Sequence, residues 1–206
     1  MPILLTGCLA AIWFASGCAT ERNKPAGLAS CCATNLEPTA PFTDKSIYQL
    51  DSTWTTDVGK PIKLGALRGR TQIVAMFFAH CEFACPIIVN DMKRIEAALP
   101  DTLRSGVGFA LVSFDSERDT PEALNAFRKN RELNPTRWTL LRGQPDDILE
   151  LAAVLGVKFK KDARGQFAHS NLITVLNPEG EIVRQQVGLN QSIEETVRIV
   201  RQLTDR

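Results

Sequence analysis

Phe77-Phe78-Ala79-His80-Cys81-Glu82-Phe83-Ala84-Cys85-Pro86 joins an apolar run, residues 73–78, to a helical pattern of Ile88, Met92, Ile95 and Leu99. Read physically, a buried strand leaves a sheet and turns into a helix, with two thiols at the turn. Pro86 suits a first helical position, where a missing N–H costs nothing. The partial positive charge of a helix N-terminus favours thiolate over thiol, so Cys85, nearer the helix start, is expected to have the lower thiol pKa unless exposure and Glu82 oppose it. Two thiols four residues apart in such a turn can close a disulfide or hold one soft metal ion. Buried inert cysteines are the plain alternative, but strand–Cys–x3–Cys-Pro–helix is too specific a context for it.

Outward from this turn, composition bounds the rest. The chain has 206 residues, enough for one ordinary domain and a leader. Its formal net charge is +1, with Lys and Arg scattered among Asp and Glu. No basic stripe tracks phosphates, which argues against a nucleic-acid partner. Of six cysteines, Cys8 and Cys18 fall in the leader and Cys31 and Cys32 in a polar stretch. Only Cys81 and Cys85 belong to the folded body, so the chain is no disulfide scaffold and its one local pair is chemical.

Residues 3–17 carry no charge and run into Cys18. That length suits a signal-peptide core and is short for a spanning helix of roughly 20 residues. Ala15-Ser16-Gly17-Cys18 resembles the bacterial lipoprotein cleavage box. Leu5-Thr6-Gly7-Cys8 fits the box better at its first position but has almost no apolar stretch before it. Export with lipidation at Cys18 is expected, with an uncleaved anchor as the alternative; a positive n-region is missing, and Arg22 and Lys24 follow the apolar run. A mitochondrial transit peptide would be Arg-rich and amphipathic. The domain plan is therefore 1–17 targeting segment, 18–41 tether and 42–206 folded domain. Pro25, Gly27, Ser30, Pro38 and Pro41 mark the tether. Cys31-Cys32 within it reads as an incidental exposed pair, with metal capture as the alternative.

Within the body, short strands are expected at residues 46–50, 54–56 and 62–64, turning at Gly59-Lys60-Pro61. The main strand covers 71–78 and the helix 86–99, stopped by Pro100. A strand at 107–114 precedes Asp119-Thr120-Pro121-Glu122, a helix start with a capping side chain and Pro in the first turn. A strand at 138–141 and a helix carrying Ile148, Leu151, Ala152 and Leu155 follow, closed by Gly156. Strands at 172–176 and 181–186 form a hairpin across Asn177-Pro178-Glu179-Gly180. The last helix repeats Ile193, Val197, Val200 and Leu203. The fold class is α/β, with a mixed central sheet flanked by helices and an N-terminal β-hairpin extension.

Besides His80, the chain has one histidine, His169, just before the hairpin's first strand. In a thioredoxin-like fold that segment faces the cysteine turn, where oxidoreductases keep a cis-proline. No proline lies between Pro145 and Pro178; a histidine does. Two thiolates and one imidazole make a three-coordinate soft site suited to Cu(I), with Cu(II) also accessible. A structural zinc site would want a fourth ligand.

Over roughly residues 42–203 the sequence resembles the Sco/SenC copper-binding proteins of the thioredoxin superfamily. The resemblance rests on Gly59-Lys60-Pro61, on Cys81-x3-Cys85-Pro86, on the stretch from Ser113-Phe114-Asp115 through Arg118-Asp119-Thr120-Pro121, and on His169-Ser170 running into residues 172–180. It implies a membrane-tethered protein of the bacterial envelope, on the periplasmic face. Such a protein carries copper to the dinuclear copper site of cytochrome c oxidase, or keeps that site's thiols reduced. It also implies Cys81, Cys85 and His169 as metal ligands, with Asp115 and Asp119 supporting the site or capping a helix. The implied partners are the copper-bearing oxidase subunit, a thiol reductant protein and the membrane. The sequence departs from many members at Glu82-Phe83, where they have Pro-Asp, and at Ala168, where they have Asp; a carboxylate there would orient the imidazole. The competing function is thiol–disulfide exchange, with Cys81 attacking and Cys85 resolving. A peroxidase would need Pro-x3-Thr-x2-Cys, and residues 73–81 contain neither the Pro nor the Thr.

Overall fold

The computed structural model describes residues 41–163 and 165–205. Cys8, Cys18, Cys31, Cys32, the targeting segment and nearly all of the tether lie outside these residues. Among the described residues, no helix is long and apolar enough to cross a membrane.

The described chain begins with a 3-10 turn at Ile47–Gln49, where a strand was expected. The Ser46 hydroxyl accepts the Tyr48 N–H at 3.2 Å and closes the turn, which buries Ile47 and Tyr48. Strands β1 (Trp54–Thr56) and β2 (Pro61–Ile62) form the expected hairpin. The residues after β2 again turn 3-10, at Leu64–Leu67. Next come β3 (Thr71–Phe77), α1 (Ala84–Ala98), β4 (Val107–Ser113), α2 (Pro121–Asn130) and β5 (Trp138–Arg142). Then follow α3 (Pro145–Leu155), β6 (Phe159–Lys161), β7 (Phe167–His169), β8 (Leu172–Leu176), β9 (Ile182–Val187) and α4 (Glu194–Thr204).

Seven strands form one mixed sheet in the order β2-β1-β5-β4-β3-β8-β9, with β3, β4 and β5 parallel and the remaining neighbours antiparallel. Every residue of β3, β4 and β8 is buried, as expected of continuous apolar strands covered on both faces. Helices α1 and α4 pack on each other and on β3, while α2 packs on β5. Helix ends follow their local chemistry. Thr120 Oγ1 caps α2 through the Ala123 N–H, and Gly156 closes α3 at φ 69°, a left-handed conformation that glycine adopts without strain.

This topology decides where chemistry can happen. Phe77 and Ser113 are in register at the carboxyl ends of β3 and β4, and Ala75 pairs with Ile173 near the start of antiparallel β8. The segments leaving β3, leaving β4 and entering β8 therefore meet at one edge of the sheet. The carboxyl ends of parallel strands are where open α/β sheets bind ligands.

Candidate metal centre

Cys81 lies in the turn after β3, its N–H bonded to the Phe78 carbonyl at 3.2 Å. Helix α1 starts at Ala84, two residues earlier than expected, so Pro86 occupies the third helical position rather than the first. That is still within the turn whose N–H groups lack helical partners. Phe83, the N-cap residue, provides no side-chain cap. Cys81 Sγ takes that part and accepts the Cys85 N–H at 3.4 Å. Cys81 is partly exposed and Cys85 fully buried, and both thiols are free.

His169 ends β7, a strand that the sequence did not disclose; β6 and β7 form a separate two-stranded sheet in which Phe159 pairs with His169. The His169 ring meets Phe114 at 5.1 Å and stands edge-on to Phe78 at 6.3 Å. Its Nδ1 is 3.0 Å from the Ser170 carbonyl oxygen. A carbonyl only accepts, so the neutral ring carries its proton on Nδ1 and leaves the Nε2 lone pair free. Nε2 lies 3.7 Å from Cys85 Sγ. The backbone thus orients the imidazole, the task a carboxylate at position 168 would perform. The two sulfurs and the imidazole nitrogen all lie within 4.8 Å of one another.

Burial pushes the Cys85 thiol well above its ordinary range; the Phe78 backbone opposes this, and Cys81 and Asp119 add to it. Lack of exposure, the condition attached to the expectation for Cys85, thus decides against the helix end, because desolvation outweighs proximity to it. Asp119 is fully buried, accepts the Ala79 N–H at 2.9 Å and the Ser113 hydroxyl at 2.5 Å, and lies 3.3 Å from His80 Nδ1. Burial raises its carboxyl pKa, with the Ser113 and Ala79 bonds opposing. Asp115 pairs with Arg118. Both aspartates therefore stand beside the site and outside the sulfur–nitrogen cluster. The mouth is a cleft of about 680 Å³ walled by Cys81, Glu82, Phe83, Phe167, Ala168 and His169. Phe83 is 81% exposed there, an apolar feature whose position the sequence reading did not anticipate.

A family model described as SCO1/SenC matches residues 43–205, which include the whole of this geometry. The chain belongs to the SCO1/SenC family. Among individual relatives, it is 24% identical over 166 residues to a Stutzerimonas stutzeri protein named for copper binding, covering 79% of this chain and 78% of that one. The crystal structure of a SCO1/SenC family lipoprotein from Bacillus anthracis superposes with a TM-score of 0.67 at 24% identity, covering 73% of this chain and 91% of that one. That of Arabidopsis thaliana ScoI with copper bound gives 0.63 at 24% identity, covering 73% and 96%. At these identities the solved structures establish the thioredoxin-like fold of this family member, as expected from its sequence.

Proposed function

We propose that this SCO1/SenC chain binds copper through Cys81, Cys85 and His169 and carries it to the dinuclear copper site of cytochrome c oxidase. One observation carries the reading: two sulfurs and one imidazole nitrogen converge within 4.8 Å, with Cys81 and His169 lining an open cleft and Cys85 buried. Two soft thiolates suit Cu(I), and a nitrogen donor adds a ligand that Cu(II) accepts. An accessible rim suits a carrier that must surrender its cargo. Copper-bound relatives and a relative named for copper binding support the ion's identity. A chain anchored at a lipidated Cys18 would hold the domain on the periplasmic face, as the lipoprotein relative suggests. In this reading the oxidase's copper-bearing subunit receives the ion, and a separate thiol protein restores the reduced pair.

The test is titration of the reduced chain with copper, followed by X-ray absorption spectroscopy. One ion per chain with two sulfur ligands and one nitrogen ligand is expected. Absence of binding, or sulfur-only ligation in both oxidation states, would remove the three-residue site.

A second reading, thiol–disulfide exchange, draws on the unequal exposure of the two thiols. Cys81 would attack a client disulfide, releasing one client thiol, and Cys85 would then displace the second. Two electrons and two protons pass to the client, and a Cys81–Cys85 disulfide is left. The copper site stays primary because it uses all three converging donor atoms, whereas exchange requires only the two sulfurs.

A further inference from the structure

The hairpin that bears His169 is not part of the main sheet: among the described residues, β6 and β7 pair only with each other. A main-chain ladder therefore does not fix His169 relative to the cysteines, and an isolated two-stranded hairpin is marginal by itself. The Gly188 N–H, bonded to the Asn171 carbonyl at 2.9 Å, anchors the chain two residues after His169, and side chains set how the hairpin beyond that point leans on the site. On the inner side, Phe114 stacks on Phe159 at 5.1 Å and packs against Phe167 at 5.0 Å. On the outer side, the segment between β4 and α2 reaches over to the hairpin tip. Arg118 pairs through Nε with Asp115, which is buried, and donates through Nη2 to the Gly165 carbonyl. Gly165 sits at φ 75° in a tight turn, its N–H bonded to the Asp162 carbonyl at 3.0 Å. A second tie, Lys161 to Glu117 at 2.6 Å, joins a partly exposed lysine to a glutamate that is 75% exposed; such pairs contribute little.

We propose that Arg118 is a positioning residue for the metal site: by tying Gly165 to buried Asp115, it sets where His169 stands relative to Cys85. This rests on the copper reading above and adds to it the residue that holds the nitrogen ligand in place. The guanidinium is suited to the task because its planar fork serves a carboxylate and a carbonyl at once, which one ammonium does less well. The same segment holds the other half of the site through Asp119, which accepts the Ala79 N–H two residues before Cys81. That second contact does not involve Arg118. Removing the guanidinium should therefore loosen the imidazole and leave the thiol pair in place.

The experiment is a double-mutant cycle on the full chain, with Cu(II) and Cu(I) each titrated against a competing chelator, in wild type, Arg118→Ala, His169→Ala and the double variant. Arg118→Ala should weaken Cu(II) binding about tenfold, the usual cost of removing a residue that orients a ligand. Cu(I) binding should change much less. In the His169→Ala background the same substitution should cost nothing further, because there is no imidazole left to place. In the metal-free protein, amide exchange should quicken in β6 and β7 but not in β3 or β4. Unchanged Cu(II) affinity in Arg118→Ala would mean that the aromatic stack alone holds the hairpin and would overturn the proposal. An equal loss in both backgrounds would overturn it too, assigning Arg118 a general structural role. If the alanine variant does not fold by circular dichroism, Arg118→Lys, which keeps the charge facing Asp115 and gives up the fork, runs the same cycle. Should His169→Ala alone leave Cu(II) affinity intact, the copper reading fails first and the role of Arg118 falls with it.

Discussion

Cys85 occupies the first turn of α1, where the helix dipole is worth about 0.3–1 kcal/mol toward a negative group. Full burial of a thiolate costs several times more, and the pKa shift follows burial. Cys81 is the sulfur that meets both solvent and the free N–H of the helix start. Under limiting iodoacetamide, Cys81 should therefore be alkylated well before Cys85 in the folded, reduced chain, and the difference should vanish in denaturant. Peptide mapping by mass spectrometry reads both; equal labelling of the native protein would contradict the assigned burial. The two cysteines were legible in the sequence because four-residue spacing across a strand–helix turn leaves them few other geometries. His169 was legible through the missing proline and the family resemblance. The residues that hold it were not: Arg118 and Gly165 lie 47 positions apart, and their contact depends on a hairpin that the sequence does not announce.

Elements were legible where burial imposes a long pattern. Strands β3, β4 and β8 are dominated by apolar residues, and α2 and α3 carry their caps in the sequence. Legibility failed where the elements are short and their sides unequal. Strands β6 and β7 have three residues each, and lysine at 160 and 161 conceals the inward-facing Phe159. The stretch at 46–50 has the strand-favouring Ile47 and Tyr48, yet a Ser46 side-chain bond captures the local backbone. The N-terminal hairpin was legible, but not what secures it. Asp57, 4% exposed, follows β1 and meets Arg128 of α2, whose guanidinium also donates to the Trp138 carbonyl at 2.8 Å. This buried pair ties the hairpin at the sheet edge to a helix and to β5. Removing one partner leaves a buried charge uncompensated, so Asp57→Ala should cost about 3–5 kcal/mol of unfolding free energy. Urea denaturation measures it. Because the pair lies at the far end of β5 from the cleft, copper affinity of the folded variant should match wild type. A loss below about 1 kcal/mol would mean that water replaces the ion pair at little cost.

At the scale of the whole molecule, the site joins segments that are adjacent only in the folded state. Cys81 and Cys85 are four residues apart in any conformation, whereas His169 is 84 residues from Cys85. An unfolded chain keeps the thiol pair and loses the imidazole. A ligand that binds both states stabilises the fold only by the difference between them, while one confined to the native state contributes its full linkage energy. Native-only binding at a thousandfold excess over Kd would add about 4 kcal/mol. For a chain of this size that is roughly 10 °C, at about 2–4 °C per kcal/mol. Cu(I), held largely by the thiol pair, should shift the unfolding midpoint by clearly less than its affinity implies. Cu(II), which draws on His169, should come nearer the full value. His169→Ala should therefore reduce the Cu(II)-induced shift strongly and the Cu(I)-induced shift weakly, and excess chelator should abolish both. Scanning calorimetry of the reduced chain, with and without each ion, makes the comparison. Equal shifts in wild type and variant for both ions would mean that the fold adds nothing to a dithiol already present in the unfolded chain, and the three-residue site would have no energetic basis.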